Sequence, residues 1–174
     1  MSDPAKTNRW LRLLRHRRFD QGDAKRLLGA GALERIQARV GASELRHSGE
    51  IRVCVEAGLP LSYLRARATP RDRAIAMFGK LRVWDTAQYN GVLIYLLLAE
   101  HAIEIVADRG LSTRVEAQEW QRIAQSMQAA FKGGEFEAGL NQAVDAVGAL
   151  LAQHFALAPG EGNPNELPDA PFVR

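Results

Sequence analysis

The chain is poor in the residues that staple a fold covalently or through a metal. Cys54 is the single cysteine in 174 residues, which excludes an internal disulfide and a cysteine-based zinc site. A lone thiol fits a reducing compartment. His16, His47, His101 and His154 are scattered, and no two have the helical spacing of a zinc site. Long apolar runs are missing as well. The most apolar stretch, Val92 to Ala99, is far short of the roughly 20 residues of a spanning helix. No unbroken apolar segment follows the basic start, so no signal peptide is expected. A phosphate-cradling glycine motif and an internal repeat are also lacking. The expected location is the cytoplasm.

What is present is an ordinary globular composition, 47% hydrophobic and 25% charged, in a length that suits one domain with a substantial core. The net charge of +3 is local in origin. Lys6, Arg9, Arg12, Arg15, Arg17 and Arg18 crowd the start, with Asp3 as the nearby acid, and the remainder is slightly acidic. Trp10, Leu11, Leu13 and Leu14 alternate with these arginines. Such a segment is either a helix packed on the domain or, over residues 1–18, an attachment to an anionic membrane at its inner face. Nucleic acid is not an expected partner, because stacking aromatics and a groove-filling helix are not apparent.

Three regions follow: a basic segment over 1–22, an α/β domain over 23–157, and a Pro/Gly-rich tail over 158–174. Leu27, Leu28, Leu33, Ile36 and Val40 predict a helix from about Asp23 to Arg46, with Gly29, Gly31 and Gly41 dividing or weakening it. Residues 49–56 change period. Ile51, Val53 and Val55 face one way and Arg52, Cys54 and Glu56 the other, the alternation of a half-covered strand. Thr69-Pro70-Arg71-Asp72 reads as a helix start. Val92 to Leu98 is apolar throughout, so a central strand covered on both faces is expected. Glu100 and His101 turn it into an antiparallel partner, Ile103 to Ala107. Helices are predicted from about Thr113 to Phe131, with Thr113 and Glu116 as a capping box, and from Glu135 to about Phe155. The fold class implied is a three-layer α/β/α sandwich on a small mixed sheet containing a central antiparallel hairpin.

Five segments of this chain, in order, resemble one known family. They are Ser48-Gly49-Glu50-Ile51-Arg52-Val53, Asn90-Gly91-Val92-Leu93-Ile94-Tyr95, Ile105-Val106-Ala107-Asp108-Arg109-Gly110-Leu111, Phe131-Lys132-Gly133-Gly134 with Phe136 and Gly139-Leu140, and the tail Asn165-Glu166-Leu167-Pro168-Asp169. Together they resemble TPM domains, named after a thylakoid-lumen protein, a photosystem II repair protein and a levamisole-receptor modulator. The tail is similar to that of a short bacterial branch without a signal peptide. The resemblance implies a mixed-sheet α/β/α fold and divalent-metal binding, often of calcium. It also implies either a weak phosphatase activity, as proposed for the plant member, or an accessory role beside membrane-protein complexes. Two positions depart from the family: Tyr89 stands where an acid or amide often precedes Asn-Gly, and Ser112 where an acid often follows Gly-Leu.

The residues themselves place a candidate site at the ends of the hairpin. Asn90 opens one strand and Asp108 closes its partner, so both lie at one end of the sheet, within reach of Asp85 on its loop. Asp85, Asn90 and Asp108 with backbone carbonyls form an oxygen set suited to Ca2+ or Mg2+. The competing reading has Asn90 shaping the turn and Asp108 capping locally. Arg109, Ser112, Thr113 and Arg114 precede a helix whose free amides attract anions, an arrangement suited to phosphate. The function expected is a non-catalytic binding or regulatory module beside a membrane protein or membrane-associated complex. The alternative is a weak metal-dependent phosphatase acting on phosphate esters.

Overall fold

A computed structural model describes residues 4–174, with side chains from Trp10 onward apart from Gln21 and Lys25. The part of the basic-segment expectation that rests on residues 1–3, and on the side chains of Lys6 and Arg9, lies outside the described residues.

The sheet is built where the sequence changes from helical period to strand. Strands β1 (Ile51–Glu56) and β2 (Val92–Leu97) pair in parallel, Ile51 opposite Val92 and Glu56 opposite Leu97. Strand β3 (Ala102–Ala107) returns antiparallel to β2 through a 3-10 turn, Leu98–Glu100. His101 closes that turn at φ 48. The short connection forces the antiparallel sense, as expected. A fourth strand, β4 (Phe172–Val173), joins the outer edge of β1 in parallel, giving the order β3-β2-β1-β4.

Alternate residues of the central strands feed two different cores. Ile51, Val53, Val55, Val92, Ile94 and Leu96 pack under one helical layer. That layer contains α2 (Gln21–Leu28), α3 (Ala32–Glu44), α7 (Ala117–Lys132) and α8 (Phe136–His154). Cys54, Leu93, Tyr95 and Leu97 pack on the opposite face against Leu64 of α4 (Leu61–Arg65) and Met77 of α5 (Pro70–Lys80). Leu13 of α1 (Pro4–Arg18) and Leu167 of the tail complete that second core. A strand with a core on each face has no polar side to show, which is why β2 reads as unbroken apolar sequence. The architecture is an α/β/α sandwich on a mixed sheet.

Several local expectations change. The 23–46 helix is two helices, because Gly29 and Gly31 adopt φ 88 and φ 71, a region costly to residues with a Cβ. Strand β1 is buried at all six positions rather than half-covered. Its polar side chains point into the second core and find distant partners there. Arg52 donates to the carbonyls of Pro168 and Ala170. Glu56 accepts from Arg73 Nε at 2.7 Å and from the Tyr95 hydroxyl at 2.8 Å. The start of α5 is as expected: Thr69 and Asp72 form a reciprocal capping box with Pro70 in the first turn. Helix α7 begins later than the sequence suggests. Asp108 caps a separate short helix, α6 (Arg109–Ser112), and the buried Leu111 and Val115 hold the chain between the two. Glu116, not Thr113, precedes α7, and its side chain makes no cap bond.

Candidate functional site

The parallel sense of β1 and β2 gives the sheet two distinct ends. At the end where these strands begin, the loop 81–91 folds back over the hairpin. Val83 is buried, and its carbonyl lies so close that a Cβ at Gly91 would come within 2.0 Å of it. Only glycine permits that approach. Thr86 Oγ1 accepts from the Asn90 amide at 3.1 Å, fixing the last turn before β2. Tyr89 is left at φ 53, and its carbonyl accepts from Gly110 N at 2.8 Å. Asp108 N donates to Gly91 O at 2.9 Å. These two backbone bonds straddle Asn90 and tie it to the end of β3.

Asn90 is fully buried. Its Nδ2 points to Ser48 Oγ at 3.3 Å, and Ser48 in turn donates to Gln88 Oε1 at 3.1 Å. The Asn90 Oδ1 atom has no donor. Asp108 is in the same situation on one side only: Oδ1 accepts from Arg109 N at 2.6 Å, while Oδ2 is buried without a donor. Two oxygens that only accept, buried with nothing to accept from, each leave desolvation uncompensated.

Asp85 is exposed and pairs with Arg82 at 2.6 Å, away from the buried pair. The basic and hydroxyl residues turn to separate neighbours. Arg109 stacks on the Tyr89 ring at 4.0 Å from its centroid. Arg114 donates to His154 O at 3.0 Å and lies over the Phe155 ring. Thr113 Oγ1 donates to Arg109 O at 2.8 Å, and Ser112 is exposed. A cleft of about 410 Å³ opens beside the Ser48–Gln88 pair, with Arg114, His154, Phe155 and Glu161 also in its lining. Among the described residues, no group of three or more His, Cys, Asp or Glu side chains is arranged to hold a metal. A hard cation would therefore rely on Asp108, the Asn90 amide oxygen and main-chain carbonyls or water.

The nearness of His47 to Glu44 and Glu50 in the sequence allows a polar cluster, although a surface-loop role is the expectation. The structure forms a buried cluster there, at this same end. Glu44 Oε1 accepts from Ile51 N at 2.8 Å, and Glu50 Oε2 accepts from Leu167 N at 3.1 Å. Burial pushes the Glu44 carboxyl up to about 8, and the neighbouring Glu50 and Asp169 carboxylates add to the rise. Burial raises Glu50 as well. His47, expected in a surface loop, is fully buried with Nδ1–H donating to Gly49 O at 2.9 Å. Its Nε2 faces Ser43 Oγ at 3.1 Å. Burial lowers this imidazole to about 4, so the ring is neutral near pH 7. The Cys54 thiol is buried and raised by that burial, the opposite of what a nucleophile needs.

The four-stranded mixed sheet between two helical layers, with its loop-built polar end, defines a small α/β/α sandwich domain. The sequence places it more narrowly: the TPM domain model matches residues 22–150, and the chain belongs to the TPM domain family. Among solved structures it is similar to the NMR structure of the BA42 protein from the psychrophilic bacterium Bizionia argentinensis. That likeness has a TM-score of 0.71 and 28% identity, over 83% of this chain and 93% of the other. No curated protein matches it.

Proposed function

We propose that this chain is a non-catalytic binding module whose hairpin end takes up a hard divalent cation, Ca2+ or Mg2+, beside a membrane-associated partner. The observation that carries the cation reading is the pair of buried, donorless oxygens, Asn90 Oδ1 and Asp108 Oδ2, at one end of β2 and β3. Asp108 supplies the charge and Asn90 the neutral oxygen, and the ion would tie the loop 81–91 to the start of α6. The accessory role rests on the family likeness.

The experiment is a titration with Ca2+ and Mg2+ followed by amide NMR. Shifts confined to residues near 85–91 and 108–112 are expected. Asp108→Asn should abolish them while leaving stability within about 0.5 kcal/mol, because asparagine caps a helix nearly as well as aspartate. Saturating ion with no shift at Asn90 or Asp108 would defeat the reading. Weak metal-dependent hydrolysis of phosphate esters is the second reading, favoured by the Arg114 guanidinium in the cleft beside Ser48. Turnover of an aryl phosphate that needs the divalent ion and falls in Asp108→Asn would establish it.

A further inference from the structure

Helix α1 is oriented with its apolar residues outward. Its inner side is held by polar contacts: Arg12 Nε donates to Glu100 Oε1 at 2.6 Å, and Arg12 Nη2 donates to Ala68 O at 2.7 Å. His16 is 5% exposed, with Nδ1 accepting from Leu59 N at 3.0 Å and Nε2–H directed to Glu100 Oε1 at 2.8 Å. Leu13 reaches the second core beside them. Positions 10, 11, 14, 15 and 18 share the other side of a 3.6-residue repeat. Trp10 is 67% exposed, Leu11 59% and Leu14 56%, and Arg15, Arg17 and Arg18 are exposed around them.

Burying a histidine and half-burying an arginine while leaving tryptophan and two leucines in water is the reverse of what a helix does against its own domain. The inward contacts fix this orientation. Glu100 engages Arg12 and His16 together, and a Cβ at Gly58 would strike the His16 carbonyl at 2.7 Å. The outward face also has one sign of charge: α1 contains no acidic residue. The nearby Asp23 of α2 is already paired with Arg26. A cleft of about 750 Å³ between α1 and α2 has Leu11, Leu14 and Phe19 as its apolar part and Arg15 and Arg18 at its rim.

We propose that the outer face of α1 docks on an anionic lipid surface, with Trp10, Leu11 and Leu14 entering the interface and Arg15, Arg17 and Arg18 meeting the phosphates. Charge decides between occupants. A second copy of this face would bring like arginines together, whereas an anionic bilayer neutralises them and takes up the apolar side chains. Tryptophan is the aromatic best suited to that boundary, having an apolar body and an N–H. Docking also sets an orientation. Glu100, which holds α1, follows β2, and Asn90 precedes it, so the proposed cation end lies at the opposite end of β2, roughly 20 Å away by the rise of a six-residue strand.

The test is sedimentation of the full chain with vesicles of phosphatidylcholine alone or mixed with phosphatidylglycerol, at low and high salt. Binding is expected with the anionic vesicles and should weaken in salt. Two variants, Arg15→Glu/Arg18→Glu and Trp10→Ser/Leu14→Ser, should each reduce it roughly tenfold or more. All four side chains are exposed, so unchanged circular dichroism should accompany the loss. Equal sedimentation with both vesicle types, or none with either, overturns the proposal. So does a solution dimer that Trp10→Ser/Leu14→Ser dissolves without any lipid binding, which would assign the face to self-association. Vesicle binding and ion-induced shifts at Asn90 are separate readouts, so this inference stands or falls apart from the cation reading.

Discussion

Tyr89 concentrates the tension of the candidate site in one residue. Its left-handed backbone, φ 53, costs a residue with a Cβ about 1–2 kcal/mol. Part of that is returned by the Arg109 guanidinium stacked on its ring, at about 0.5–1 kcal/mol for an exposed cation–π pair. Asparagine tolerates this conformation and would add an oxygen beside Asn90. Tyr89→Asn is therefore expected to leave urea stability within about 1 kcal/mol while raising Ca2+ affinity severalfold by calorimetry. Unchanged affinity would mean that position 89 does not look into the proposed ion site. At this scale the sequence was informative for Asn90, Gly91 and Asp108, because the strands that carry them are fixed by an apolar run and a short turn. It allowed Glu44 and His47 a polar cluster but favoured the surface for His47. Their burial depends on the tail and on the end of α8, well over a hundred residues away, and no local pattern encodes that.

Strand β1 and the segment that covers it form the element most sensitive to acidity. Glu44 faces the Glu50 and Asp169 carboxylates and the Ile51 amide. Its folded value, about 8, lies above its ordinary 4.5. The folded state therefore holds the extra proton, and this contribution, full below 4.5, is lost as pH rises toward 8. His47 acts in the opposite sense. Its value falls from 6.5 to about 4, so its contribution is present above 6.5 and lost as pH falls toward 4. Glu100, drawn down from 4.5 to about 2 by His16 and Arg12 against the opposing effect of burial, likewise contributes above 4.5 and loses that below. Between 4.5 and 6.5 the Glu44 and His47 slopes oppose each other. From 6.5 to 8 the Glu44 slope remains. Stability by urea unfolding should fall over that window by at most about 1.4 kcal/mol per pH unit for one proton, and Glu44→Gln should flatten it. A wild-type curve level from 6.5 to 8 would contradict this assignment. The strand itself was legible from its alternation, but its exposure was misjudged. Arg52, Cys54 and Glu56 look solvent-facing until Pro168, Ala170, Arg73 and Tyr95 are known to meet them.

Across the whole molecule, the two ends of the sheet differ in what they gather. The start of β1 and β2 collects Asn90, Asp108, Glu44, Glu50 and the cleft, while their far end seats α1 through Glu100 and Gly58. The layer order and mixed sheet were readable from the periods of the chain, since a hairpin and helices on both sides leave few arrangements. The fourth strand was not. Two residues near the end of a Pro- and Gly-rich stretch carry too little pattern to announce a pairing with β1, and only the exposed edge of that strand calls for one.

That late pairing has a kinetic side. Arg52 and the Ala170 carbonyl it holds are 118 positions apart, so the contact closes a very long loop and gains nothing until the rest of the sheet is in place. During refolding, the outer edge of β1 should stay open after the hairpin and the helical layers have formed. In that interval it is an unpaired template for another chain. Removing residues 165–174 would make the interval permanent. The shortened protein should keep its helical circular dichroism yet self-associate, with light scattering during refolding that rises steeply with concentration. A monomer that refolds as cleanly as the full chain would show that the edge is guarded by something other than its own last residues.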